Sequence, residues 1–350
     1  MNGPERNQIL IGDVRDRLRQ IPDGAIDCVI TSPPYYQLRN YGSHEQIGLE
    51  GTVDEWAEVL RGVLADIGRV LKPSGSVWLN LGDSYSGHLG LGAPPKSLLL
   101  GPERVALALL DDGWLIRNKV VWAKRNPMPS SVRDRLSPTW EVLYLLTRSP
   151  RYFFDLDAIR VPHTSRQTGR PGVATPVYPP PGHGAPHWAS EGKGGNKGLA
   201  ALRDRGVVGH PLGKNPGDVW RLATASFRGQ HFATFPRELV ERPLLATCPE
   251  RVCAGCGSPW ESSKRQLGGL AVRGQLVKRC PCDRGWRPGL VLDPFLGSGT
   301  VALVADAHRR DWLGIELNPV FAQLAKDRVK AARIERNADT ETGESARLAA

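Results

Sequence analysis

Residues 289–300 read Gly289-Leu290-Val291-Leu292-Asp293-Pro294-Phe295-Leu296-Gly297-Ser298-Gly299-Thr300, an apolar strand that turns through two glycines into a helix. Backbone without side chains at such a turn lets a ligand come close to the helix N-terminus, where unpaired N–H groups point outward. The next strand, Trp312 to Glu316, puts Glu316 seventeen residues beyond Gly299, in position to accept hydrogen bonds from ribose hydroxyls. The loop therefore predicts a site for a nucleoside-containing cofactor. Its Gly297-Ser298-Gly299-Thr300-Val301-Ala302 also fits the dinucleotide fingerprint G-x-G-x-x-A, which keeps a nicotinamide-dependent oxidoreductase in view.

Outward from this loop the chain alternates. Gln8 to Gly12 and Ile26 to Thr31 read as buried strands flanking a short helix over Asp13 to Gln20. A helix over Val53 to Val70, stopped by Lys72-Pro73-Ser74-Gly75, leads to a strand over Ser76 to Leu81. A helix near Glu103 to Leu110 and strands through Leu115 to Trp122 and Val142 to Thr147 continue the pattern. After a helix near Pro236 to Ala246, the last unit is a strand over Gly289 to Leu292, a helix over Thr300 to His308, the strand ending at Glu316, and a helix from Pro319 to Ile334. Such alternation predicts an α/β fold, doubly wound around a mostly parallel sheet with helices on both faces.

A second motif, Thr31-Ser32-Pro33-Pro34-Tyr35, follows a buried strand directly. Two consecutive prolines remove two backbone donors and fix a rigid, extended exit from the sheet. Such rigidity suits methylation of an exocyclic base amine, whose lone pair is delocalised into the ring and is a poor nucleophile. The Ser32 hydroxyl and the Pro33 carbonyl could each accept a hydrogen bond from that amine and free its lone pair. A base inside a duplex would have to be flipped out to reach them, with Tyr35, and Tyr36 beside it, offering an aromatic face. In isolation Pro-Pro-Tyr would be only a strand-terminating turn.

The two motifs together resemble the β-class amino-methyltransferases of DNA, in which an S/D/N-P-P-Y/F/W motif precedes the F-x-G-x-G cofactor loop, a circularly permuted order. The resemblance covers most of residues 7–160 and 218–335. It implies S-adenosyl-L-methionine as methyl donor and double-stranded DNA as partner, with a cognate restriction endonuclease as an accompanying enzyme. By position it makes Ser32, Pro33, Pro34 and Tyr35 the catalytic motif and Asp293, Phe295, Gly297, Gly299 and Thr300 the cofactor loop. Glu316 matches the ribose-binding acid, and Asp13 an acid near the adenine. His231 and Thr234, in His231-Phe232-Ala233-Thr234-Phe235-Pro236, resemble the segment closing over the methionine end of the cofactor. Serine before Pro-Pro is associated in this family with cytosine N4, aspartate or asparagine with adenine N6, so Ser32 favours cytosine and adenine is the alternative.

Five of the six cysteines crowd between residues 248 and 282. In a reducing compartment, crowding of this kind points to metal rather than disulfides. Cys253-x-x-Cys256 and Cys280-x-Cys282 supply two chelating knuckles for a structural zinc, with Cys248 as a spare ligand. Pro281-Cys282 resembles the nucleophile of cytosine-C5 methyltransferases, but no Glu-Asn-Val partner accompanies it. Cys28, inside an apolar strand, reads as a core residue.

A formal charge of +10, from 46 Lys and Arg against 36 Asp and Glu, favours a polyanionic partner. No run reaches the ~20 apolar residues of a membrane span, and the first residues do not resemble a signal peptide, so a cytoplasmic protein is expected. The expected organisation is a catalytic half (7–160), a basic Gly/Pro-rich segment (161–217) serving as a linker or a DNA-recognition loop, and a return to the core (218–247). A cysteine-rich insert (248–285), a cofactor half (286–335) and a polar, disordered tail (336–350) complete it. Arg39, Asn40 and Tyr41, the stretch Trp122 to Pro127, and Arg133 and Arg135 are further candidates for DNA contact. A non-catalytic DNA-binding module would use only the basic and cysteine-rich segments.

Overall fold

The helix over Val53–Val70 shows how local sequence sets an element. Thr52 and Glu55 cap it reciprocally, each side chain accepting from the other's backbone N–H at 3.1 Å. Val53, Trp56, Ala57, Leu60, Val63, Leu64 and Ile67, spaced three and four apart, bury one face. The computed structural model describes residues 4–40, 42, 45–163, 210–224, 235–267 and 270–348. Numbered in chain order, the strands of the main sheet are β1 (Gln8–Ile11), β2 (Ile26–Thr31), β3 (Leu71–Leu81), β4 (Leu115–Lys124), β5 (Trp140–Thr147) and β6 (Val219–Leu222), then β11 (Leu290–Asp293) and β12 (Asp311–Glu316). The helices are α1 (Val14–Arg19), α2 (Val53–Val70), α3 (Gly101–Asp111), α4 (Arg237–Thr247), α5 (Thr300–Ala307) and α6 (Pro319–Leu348).

The eight strands lie in the order β1-β12-β11-β2-β3-β5-β4-β6. All neighbours are parallel except the two pairs made by β5, which runs against β3 and β4. Alternating side chains feed two cores. Val29 faces Leu60, Leu64 and Ile67 on one side, while Cys28 and Ile30 face Leu244 and Val301 on the other. The mostly parallel sheet expected from the alternation is present, with both faces covered.

Three local expectations differ from the structure. Strand β3 begins at Leu71 rather than beyond Gly75, because Lys72 is drawn into the sheet by an ion pair with Asp27 at 2.5 Å. The four-residue strand β6, hidden beside a Gly/Pro-rich segment, extends the sheet past β4. The tail expected to be disordered from Arg336 is helical through Leu348; no proline interrupts it, and Arg333 and Arg336 both pair with Asp306 on α5.

By contacts the chain forms two units. The larger comprises residues 1–155, 217–261 and 277–350 and holds the sheet; the smaller comprises 156–216 and 262–276. In the smaller unit Val161 bridges Lys214, Asp157 pairs with Arg160 at 2.5 Å and accepts from the Arg273 N–H at 2.8 Å. Strands β8 (Glu261–Leu267) and β9 (Leu270–Val277) pair with each other. The stretch 248–285, expected as one insert, is thus divided, its central hairpin grouping with the smaller unit and its cysteine pairs with the larger. Most of the basic segment, 164–209, lies outside the described residues. Among the described residues no helix is long and apolar enough to cross a membrane.

Candidate active site

Parallel strands deliver their C-terminal ends to one edge of the sheet, where the loops after β1, β2, β11 and β12 meet around a cavity of about 830 Å³. Ser32, Pro33, Pro34 and Tyr35 line it, as do Phe295, Gly297, Thr300 and Glu316, and Asp13. The two motifs, far apart in sequence, therefore share one chamber. Strands β2 and β11 are direct neighbours, with Val291 opposite Cys28 and Leu292 opposite Val29.

The glycine loop is shaped by backbone. Gly297 has φ +52° and Gly299 φ +80°, a left-handed conformation that side chains disfavour. Glu316, nearly buried, accepts from the Gly297 N–H at 2.8 Å and from the Asn318 N–H at 2.9 Å. Burial pushes its carboxyl above the ordinary range against the pull of those amides. Asp13 caps α1 and pairs with Arg15 at 2.6 Å, which holds its carboxyl below the ordinary range.

Two residues expected at the cofactor, Gly299 and Asp293, do not line the cavity. A Cβ on Gly299 would meet the Ala325 Cβ at 2.8 Å, so this glycine serves the packing of α6 on the loop. Asp293 does not line the cavity; its Oδ1 accepts from Thr31 Oγ1 at 2.7 Å and from the Phe295 N–H at 3.1 Å. It thereby ties the residue before Ser32 to the cofactor loop. Burial raises the Asp293 carboxyl to about 7. The folded protein thus holds a proton that the unfolded chain loses above roughly pH 4, so this group's contribution to stability is whole below pH 4 and declines as pH rises to 7. Asp293→Asn is expected to remove a slope of up to about 1.4 kcal/mol per pH unit. Melting temperatures from pH 4.5 to 8 check this, and identical profiles for the two proteins would refute it.

Sequence reasoning missed Asn80 and Glu141 beside Ser32 and read Lys124 only as a candidate for DNA contact. Asn80 on β3, Lys124 on β4 and Glu141 on β5 all line the cavity. Ser32 Oγ donates to the Tyr35 hydroxyl at 3.1 Å, which donates to Glu141 Oε2 at 2.7 Å. Asn80 Nδ2 donates to the Tyr35 hydroxyl at 2.5 Å and to Glu141 Oε2 at 2.8 Å. Lys124 neutralises Glu141 at 2.6 Å, its ammonium 5.3 Å from the Trp122 ring centre. The available signals were an asparagine within the apolar run that ends β3 and a glutamate near the start of the apolar β5.

Other expected contacts divide. Tyr36 is buried in the core, its hydroxyl on the Gly51 carbonyl and its ring against Trp56, so it does not face the cavity. Pro34 is pinned by the Trp56 indole N–H on its carbonyl at 3.0 Å. Of the stretch Trp122 to Pro127, Trp122 and Lys124 lie at the end of β4 and line the cavity, as do Asn126 and, beyond it, Met128, which is 86% exposed. Arg39 lines it too, while Arg135 lies over the Tyr85 ring at 3.6 Å. His231, Thr234 and Tyr41 fall outside the described residues.

The four expected zinc ligands come together elsewhere, with the Sγ atoms of Cys253, Cys256, Cys280 and Cys282 all within 4.8 Å of one another. Cys248, the spare, is not among them. It follows α4 and is fully buried in the apolar core with Cys28.

Comparison with known proteins agrees with this arrangement. A family profile described as DNA methylase matches residues 26–327. The chain is 35% identical over 340 residues to the Type II methyltransferase M.XycI of Xanthomonas campestris pv. cyanopsidis, covering 91% of this chain and 86% of that protein. It is 31% identical over 348 residues to M.SmaI of Serratia marcescens, covering 93% and 91%. Among solved structures, the PvuII DNA methyltransferase (cytosine-N4-specific) superposes with a TM-score of 0.55 at 18% identity, covering 93% of this chain and 86% of that one. A candidate DNA modification methylase of Thermus thermophilus, complexed with S-adenosyl-L-methionine, superposes at 0.51 and 18%, covering 93% and 95%. These structural likenesses establish the fold, that of S-adenosylmethionine-dependent methyltransferases. With identity extending over nine-tenths of the chain and both motifs opening on one chamber, this protein belongs to the N6/N4 DNA methylase family.

Proposed function

We propose that the chain methylates the N4 amine of a cytosine flipped out of duplex DNA. The observation that carries this reading is the shared cavity, lined by Ser32 and Pro33 together with the glycine loop. The loop fits a nucleoside cofactor on its own geometry: Gly297 takes a left-handed turn at the cavity wall, and Glu316 presents a nearly buried carboxylate there. Phe295, Gly297, Thr300 and Glu316 would hold S-adenosyl-L-methionine, with Asp13 near its adenine. Bound there, it supplies a methyl group on a sulfonium sulfur, open to direct in-line displacement by the base amine.

The rest is work for the protein's own groups. The Ser32 hydroxyl proton is committed to Tyr35, and the Tyr35 proton to Glu141. With its proton held by Tyr35 and Asn80 Nδ2 donating weakly to it at 3.5 Å, Ser32 Oγ keeps a lone pair for one amine N–H at the cavity wall, while the Pro33 carbonyl takes the other. Drawing both protons away localises the nitrogen lone pair; as the N–C bond forms and the methyl–sulfur bond breaks, the nitrogen becomes cationic and sheds one of its two protons to solvent. Charge development on the nitrogen then meets oriented dipoles that need no reorganisation. Lys124 keeps the Glu141 charge compensated at the cavity wall. The positive charge of the chain favours approach to DNA, and a base brought to Ser32 in this cavity must leave its stack.

Ser32 before the two prolines supports cytosine over adenine. A zinc ion at the four thiols takes no part in the transfer, since four sulfur ligands leave no open position. Nucleoside analysis of DNA from cells expressing the protein is expected to yield N4-methyldeoxycytidine. N6-methyldeoxyadenosine alone would replace the proposed base, and no methylated amine of either kind would defeat the reading.

A further inference from the structure

The cysteine cluster lies apart from the cavity and plays no role in the chemistry above. Two short turns present its thiols. In the first, the Gly257 N–H donates to the Cys253 carbonyl at 2.9 Å, with Gly257 at φ +74°, and the Cys253 N–H donates to the Ser258 carbonyl at 2.8 Å. The second turn is joined to the first by pairing of β7 (Val252–Cys253) with β10 (Trp286–Arg287) and by the Ala254 N–H on the Gly285 carbonyl at 2.8 Å. A tetrahedral ion with bonds of about 2.3 Å holds its sulfurs about 3.8 Å apart, so only a small contraction separates these four thiols from a closed site. Four soft donors in a closed tetrahedron select zinc.

What the first turn touches gives the site a purpose. The Gly257 carbonyl accepts from Lys72 Nζ at 3.1 Å. Lys72 is buried and pairs with Asp27 Oδ1 at 2.5 Å, and Asp27 Oδ2 accepts from the Leu290 N–H at 3.0 Å. Asp27 sits near the start of β2 and Leu290 opens β11. At the far end of the same two strands, roughly 10 to 13 Å away at ~3.3 Å per residue, Thr31 is bonded to Asp293. The strand pair carrying both motifs is therefore clamped at each end. A buried ammonium needs every partner it has, and the Gly257 carbonyl is fixed only as firmly as the turn that presents it.

We propose that Cys253, Cys256, Cys280 and Cys282 bind one structural Zn²⁺, and that this knuckle braces β2 against β11 through Gly257, Lys72 and Asp27. On binding, the four thiols release their protons to solvent and donate sulfur lone pairs to the ion, with no change of oxidation state.

Full-length protein prepared with zinc in the medium is expected to carry about one zinc per chain by elemental mass spectrometry. Cys280→Ser is expected to lose most of it, and Cys248→Ala, which alters a core thiol, to keep it. Iron in place of zinc, or zinc content indifferent to Cys280→Ser, would overturn the metal assignment. The brace is tested by a cycle in which Lys72→Met and wild type are each melted with and without metal. Stripping zinc is expected to lower the wild-type Tm by about 5 °C or more, and the Lys72→Met Tm by less than half as much, because coupled groups are non-additive. Equal drops would refute the brace and leave the zinc site standing. Should Lys72→Met not fold, hydrogen exchange in wild type decides the matter: exchange across residues 289–292 accelerates about tenfold on metal removal if the brace exists, and is unchanged if it does not.

Discussion

Replacing Ser32 with alanine is expected to reduce methyl transfer to DNA by about 10²- to 10³-fold, the usual loss when one oriented polar group at a reacting centre is removed. Affinity for S-adenosyl-L-methionine is expected to stay within about twofold, because Ser32 belongs to the loop after β2 and not to the glycine loop after β11. Single-turnover transfer with tritiated donor separates the two, and a rate near wild type would remove Ser32 from the chemistry. A companion substitution tests how Ser32 is oriented. Glu141→Gln keeps the shape of the cavity wall but exchanges a carboxylate acceptor for a neutral amide, and leaves Lys124 without its counter-charge. The expected loss is about tenfold in rate, near 1.4 kcal/mol, with little change in donor affinity. Glu141 is thus a positioning residue. Were its replacement to weaken donor binding and spare the rate, the relay through Tyr35 would not be what holds Ser32.

Glu316→Ala is expected to weaken S-adenosyl-L-methionine binding by at least about 100-fold, as charge-assisted hydrogen bonds contribute ~1.5 to 3 kcal/mol each. Two effects combine. The ribose loses its acceptor, and the Gly297 and Asn318 amides lose theirs in a nearly buried setting. Because those amides define the path of the glycine loop, the cavity wall itself is expected to relax. Glu316→Gln should fall between, since one amide oxygen can still accept while the NH₂ group opposes a backbone N–H. Titration calorimetry reads the affinities and a thermal melt confirms that the variants fold. Undiminished affinity in Glu316→Ala would exclude the carboxylate as the cofactor's acid.

Much of this was legible in the chain because both motifs are local. A glycine loop and a Pro-Pro turn declare themselves within a dozen residues, and the β2 and β11 strands that carry them are continuous apolar runs. Their order along the sequence, with the proline motif first, predicted the family that the profile match then established. Asn80 and Glu141, and the pairing of Lys124 with Glu141, were not legible, because they meet only through the reversal of β5 between β3 and β4; Glu141 reaches Tyr35 across 106 residues. Asp293 and Gly299 were read as cofactor contacts since sequence position cannot separate a residue at a cavity wall from a neighbour that does not line it. Cys248 was ambiguous for a related reason. Proximity in sequence to four ligands suggested a fifth, yet the end of α4 carries it into the core.

The hydrogen bond from Thr31 to Asp293 joins residues 262 positions apart, and β1 likewise waits for β12, with Gln8 opposite Leu313. At ribosomal speeds of about 5 to 20 residues per second, the first two strands emerge tens of seconds before their neighbours exist. During that interval β2, apolar on both faces, has an open edge on the side β11 will occupy. The centre of this sheet is therefore the last part to close, and synthesis interrupted before the glycine loop leaves a chain with the proline motif complete and a sticky strand beside it.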